Sequence, residues 1–141
     1  MIKCETVGMF EIAKLNPVLT SENAVANYNF LTKNGITYLI CNTTLGDDAY
    51  RDDVTFAAGE YLNGYQVDVW AGQKLVIDEK HIAYGAGEDY DDITAGTTLL
   101  TINAAGKLAI DDEAPEAGVY FKVTDKTTLT GKAVKAMVMV A

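Results

Sequence analysis

From Asn34 to the end of the chain, turn signals recur about every ten to twelve residues, a spacing that holds short strands and little else. Ala-Gly pairs stand at 58–59, 71–72, 95–96, 105–106 and 117–118, each near the start of an apolar stretch. Between them the apolar residues alternate. Tyr65, Val67 and Val69 are separated by Gln66 and Asp68, and Val119, Phe121 and Val123 by Tyr120 and Lys122. Val134, Ala136, Val138 and Val140 alternate with Lys135, Met137 and Met139. A period of two puts one set on a core face and the other toward solvent. Thr, whose branched side chain packs well on a pleated surface, occurs 15 times against one Ser. Together these features predict one all-β domain, a compact β-sandwich or β-barrel of about nine short strands, with the β-rich core over residues 36–141.

The first third is mixed, so the chain also reads as mainly β with one short N-terminal helix. Residues 1–20 hold short apolar pieces and an Asn16-Pro17 step, and read as an N-terminal arm or an early strand. Ser21 can cap a helix over 23–31 that stops at Asn34-Gly35. The same Asn-Gly pair is a strong hairpin signal, and a hairpin over 29–42 competes with the helix. Further on, strands are expected over 60–70, 74–77, 81–84, 97–102 and 107–110. The GAGEDYDD stretch, residues 85–92, reads as a flexible acidic loop.

Charge removes several classes of function. Eleven Lys and Arg against twenty Asp and Glu leave a net charge of −9. A protein that binds nucleic acid through phosphates needs a basic face, and an anionic membrane surface needs one too, so neither is expected as a partner. No apolar run is long enough for a membrane-spanning helix, and no basic, then apolar, leader opens the sequence. The acids crowd residues 45–92, whereas Lys122, Lys126, Lys132 and Lys135 gather at the end. Such a layout can steer docking.

Residues able to do chemistry are few. There is one His (His81) and one Ser (Ser21), and Ser21 lacks a Gly-x-Ser-x-Gly setting. Cys4 and Cys41 are too few for a disulfide scaffold or a thiolate zinc site, and Cys41 reads as a small core residue. His81 reads as a solvated residue at a strand start. Two acidic clusters, Glu88–Asp92 and Asp47–Asp53, offer carboxylates for calcium without EF-hand spacing, and read as solvated loops. No catalytic, cofactor-binding or metal-binding residue is assigned, and no cofactor is expected. The remaining candidates are contact residues. Tyr61, Trp70, Tyr84 and Tyr90 with Lys122 and Lys135 form the candidate interface set, since Tyr and Trp join large area to a polar tip. Tyr65 is assigned to the core. Trp70, at the end of its strand, fits core or surface.

The stretches AAGEYLNGYQVDVWAGQKLVIDEKHIAYG, DITAGTTLLTINAAGKLAI and AGVYFKVTDKTTLTGKAVKAMVMVA resemble the capsid decoration, or auxiliary head, proteins of tailed bacteriophages. The resemblance covers roughly residues 58–141. It implies a non-enzymatic structural protein, made in the bacterial host cytoplasm and carried on the virion surface. Its partner would be the major capsid protein, and it would act as a dimer or trimer. Residues 1–20 would be the attachment arm. The alternative from the residues alone is a carbohydrate-binding β module that stacks sugars on Trp70 and nearby Tyr.

Overall fold

A computed structural model describes residues 1–5, 14–41 and 54–141. Among these, twelve strands form three antiparallel sheets. In chain order they are β1 (Ile2–Cys4), β2 (Leu15–Leu19), β3 (Val25–Ala26), β4 (Phe30–Lys33), β5 (Ile36–Ile40), β6 (Thr55–Phe56), β7 (Leu62–Gln66), β8 (Lys74–Asp78), β9 (Leu99–Ile102), β10 (Leu108–Asp111), β11 (Val119–Thr128) and β12 (Lys132–Val140). The largest sheet has the order β1-β8-β12-β11-β9-β10, the second β2-β7-β5-β4, and β3 pairs with β6.

The alternation seen in the sequence sets the layers. Phe121, Val123, Val134, Ala136 and Val138 face inward from β11 and β12 and meet Leu75, Ile77, Leu100 and Leu108. Phe30, Leu39 and Cys41 close this core from the second sheet. On β5 the neighbouring residues Tyr38 and Ile40 point the other way, into a smaller core with Leu19, Val25, Phe56 and Leu62. The second sheet is therefore covered on both faces, by the six-stranded sheet and by the β3–β6 pair. Gly64, inside β7, lies where side chains of both neighbouring strands approach closely: a Cβ there would sit 2.6 Å from Leu19 Cδ2 and 3.1 Å from Tyr38 Cβ.

The helix over 23–31 does not form, and the hairpin does. Asn34 and Gly35 both have positive φ, 54° and 77°, the requirement of a two-residue turn that matches strand twist. Before it, Tyr28 takes φ 65°. Its N–H donates to the Ile40 carbonyl while the Ile40 N–H donates to the Asn29 carbonyl. Two residues thus oppose one, a bulge that no helix can contain.

Residues 1–20 are not a free arm in their described parts. Ile2, buried at 2%, pairs with Ile77, and Leu15 to Leu19 pair with β7; residues 6–13 lie outside the described set. The expected strand over 60–70 stops at Gln66 and continues as a 3₁₀ turn, Val67–Trp70. The expected strand at 81–84 is instead a 3₁₀ turn, Glu79–His81, followed by a single bridge from Ile82 to Leu108.

Asp78 knots three elements together. Its carboxylate accepts from the Met1 ammonium at 2.8 Å, from the Thr130 hydroxyl at 2.6 Å and from the Thr130 N–H at 3.1 Å. Burial alone pushes this carboxyl up, but the bonds from Met1 and Thr130 outweigh it and hold it below the ordinary 3.8. A carboxyl lowered on folding lends stability above its unfolded pKa, and that stability drains away as pH falls toward the folded value. Urea stability is expected to fall as pH drops below about 4. Asp78→Asn should lower stability at pH 7 by about 1–3 kcal/mol and flatten part of that acid slope. An unchanged slope, read by urea titration at several pH values, contradicts this role.

Candidate docking surface

His81 and Cys41 are buried in the fold and Cys4 is half-buried. His81 is buried at 6%, not solvated as its sequence context suggests. Its Nε2 lies 2.9 Å from the Met1 ammonium. An ammonium only donates, so this nitrogen accepts and the ring proton sits on Nδ1. The Tyr28 ring packs 5.5 Å from the imidazole. Burial pushes the Cys4 thiol up to about 12, with Cys41 adding to the rise. Burial likewise pushes Cys41 up to about 11, partly offset by the nearby Tyr28 hydroxyl. Thiols in this range are almost fully protonated at neutral pH and make poor nucleophiles.

The acidic stretch at 85–92 is an ordered turn. Glu88 accepts from the Gly85 N–H, Asp89 accepts from the Asp91 N–H, and Asp92 accepts from the Asp89 N–H. These carboxylates cap a short 3₁₀ turn, Tyr90–Asp92. Among the described residues no group of three acidic, His or Cys side chains is placed to hold a metal. Asp47, Asp48, Asp52 and Asp53 lie outside them.

The candidate contact residues separate into three groups. Trp70 is fully buried and stacks on Tyr65 with ring centroids 6.3 Å apart. It is a core residue, and the sugar platform expected around it has lost its centre. Tyr84 and Tyr90 are half-buried and tied down. The Tyr84 hydroxyl donates to Glu79, and its pKa is raised by burial and by that carboxylate. The Tyr90 hydroxyl donates to the Ala133 carbonyl at 2.7 Å, while Lys126 and Lys132 lie over its ring. Lys122 and Lys135 stand on β11 and β12, on the outward face of the six-stranded sheet.

Tyr61 alone of the four aromatics projects fully, at 71% exposure. It has company that the sequence did not single out. Among the described residues the exposed large apolar side chains are Leu15, Val18, Tyr61 and Val140; Leu15 and Val18 stand on β2, an edge strand of the second sheet, and Tyr61 immediately precedes β7, the strand that β2 pairs with. Compared with known protein families, curated proteins and solved structures, the chain matches none. The reading of this edge therefore rests on its own physics.

That edge is built to present side chains while refusing strands. From Asn16↔Gly64 to Leu19↔Leu62, β2 advances three residues against two on β7. The extra residue is a bulge spanning Pro17 and Val18. Pro17 has no N–H to offer, and the Val18 N–H is taken by Asn16 Oδ1 at 3.2 Å. Proline and bulges close an edge strand to addition of another strand. Val18 stands out at 65% exposure and Leu15 at 47%. Scattered apolar residues on a surface mean little, whereas several along one edge mark a contact zone.

Proposed function

We propose that this protein is a non-enzymatic structural protein that docks on an assembled protein shell and stabilises it, as a head decoration protein of a tailed bacteriophage. The observation that carries the reading is the exposed apolar set Leu15, Val18 and Tyr61 at the β2 edge and beside it, on an edge strand whose backbone is closed at Pro17 and Val18. An edge of this kind fits a partner surface without inviting uncontrolled sheet growth. The resemblance over residues 58–141 supplies the kind of shell. The buried His81 and the protonated thiols support a role in binding over one in catalysis. Docking across neighbouring capsid subunits stabilises the assembled form, since whatever binds the shell but not its dissociated parts shifts the equilibrium toward the shell. Many copies on one lattice compound weak contacts. The major capsid protein is the proposed partner and the virion surface the proposed location. Purified chain added to phage heads that lack it should bind saturably and raise the temperature at which the heads break. Heads that bind none, and break at an unchanged temperature, overturn the proposal.

A further inference from the structure

We infer that the β2 edge carries a socket for one partner side chain, and that the protein surface it meets presents an apolar residue with an Asp or Glu beside it. The apolar group seats in the socket and the carboxylate pairs with Lys33. The inference rests on the docking reading and names the chemistry of its partner.

The socket is the open end of the smaller core. Ile36, Tyr38 and Ile40 lie two residues apart on β5 and share the face turned toward that core. Tyr38 and Ile40 are buried there, whereas Ile36, next to the Asn34-Gly35 turn, is only half-buried. At this end the core gives way to an open cavity of about 150 Å³, with Leu19, Ile36 and Tyr38 in its lining. Val18 forms part of the wall, so the cavity adjoins the exposed apolar edge. A space of this order holds a benzene-sized group, the size of one side chain from a partner. Protein interfaces concentrate their energy in pockets filled in this way.

The rim selects the neighbour of that side chain. Lys33, Asn16 and Thr20 also line the cavity. The Lys33 ammonium donates to the Thr20 carbonyl at 2.7 Å and to the Thr20 hydroxyl oxygen at 3.2 Å. An ammonium has three N–H groups, so one is left for a partner. Lys33 is exposed and has no ion pair among the described residues; the pairs there belong to Met1, Lys74 and Lys135. Asn16 uses its Oδ1 to accept from the Val18 N–H, which leaves its amide NH₂ to donate. Two donors on one rim fit a group that only accepts, and an ionised carboxylate is such a group. Charge favours the same partner, since Lys33 is an unpaired cation on a molecule of net charge −9. Thr20 already holds the lysine at the rim, so little side-chain freedom is lost when the carboxylate arrives. Seating the apolar group excludes water from the pair, and a charge-assisted bond is stronger there than on an open surface.

The test is co-sedimentation of the full chain with phage heads that lack it, at about 0.15 M salt. Lys33→Met removes the cation, Lys33→Glu reverses it, and Ile36→Phe fills the socket from within. Each should keep wild-type circular dichroism and raise the dissociation constant at least about tenfold, Lys33→Glu the most. Lys3→Glu makes the same change in net charge at an exposed position on β1, in the six-stranded sheet, and should bind like wild type. If wild type binds and the folded Lys33 variants or folded Ile36→Phe bind as well as it does, the inference is overturned and the docking reading stands. A loss in Lys3→Glu as large as that in Lys33→Glu also overturns it, because net charge alone would then explain the effect. Heads that bind no wild type overturn the docking reading and the inference together.

Discussion

Trp70→Ala should be the most damaging single substitution in the core, lowering stability by about 3–5 kcal/mol. Trp70 is the only tryptophan and is fully buried. It occupies the end of the 3₁₀ turn after β7, where Val67, three residues earlier, is also fully buried. The pair joins the turn to the main core beside Phe121 and Val138, and Tyr65 stacks on the indole. Removing the ring leaves a void that a sheet on one side and a turn on the other cannot close. For a chain of this size the loss should appear as a fall in Tm of roughly 10–20 °C. Trp70→Phe should recover about half. If Trp70→Ala unfolds within about 1 kcal/mol of wild type by urea titration, the indole is not part of the core.

Gly106→Ala should come next, at about 2–4 kcal/mol. Gly106 closes the β9–β10 turn with φ 80°, a left-handed conformation that costs a side chain about 1 kcal/mol. A Cβ at that position would also collide with the Phe30 backbone carbonyl. This neighbour cannot rotate away, because the Phe30 N–H is bonded to the Gly106 carbonyl at 2.8 Å. The contact is where the six-stranded sheet meets the outer strand of the second sheet. Gly72→Ala provides the control. Gly72 has φ 83° with nothing within 4 Å of an added Cβ, so it should lose only the conformational part, about 1 kcal/mol. Equal losses at the two positions would show that the approach to Phe30 carries no weight.

Much of the strand pattern could be read in advance because local chemistry and tertiary packing agree there. β11 alternates as far as Val123 and β12 from Val134 onward, and the Asn103–Gly106 and Asn34-Gly35 turns carry the residues their geometry demands. The failures sit where one residue changes the period. The Tyr28 bulge defeats the helix expected from Ser21, since a left-handed tyrosine whose N–H donates to the distant Ile40 carbonyl leaves no trace in local propensity. After Gln66 the spacing of buried residues shifts from two to three, which turns Trp70 inward and removes it from the contact set. His81 is drawn into the interior by Met1, some eighty residues away in sequence. The docking edge was half legible. Tyr61 stood out by type, but Val18 and Leu15 could equally have been core, and only the extra residue of the β2 bulge decides which way they point.

The most direct test of the docking account is co-sedimentation of the chain with phage heads that lack it, comparing wild type with Val18→Asp/Tyr61→Asp. Both positions are solvent-exposed, so the variant should keep wild-type circular dichroism and Tm. The account predicts that wild type pellets with the heads and that the variant binds at least about tenfold more weakly, two charges having been set into an apolar contact. A folded variant that pellets as fully as wild type would contradict it.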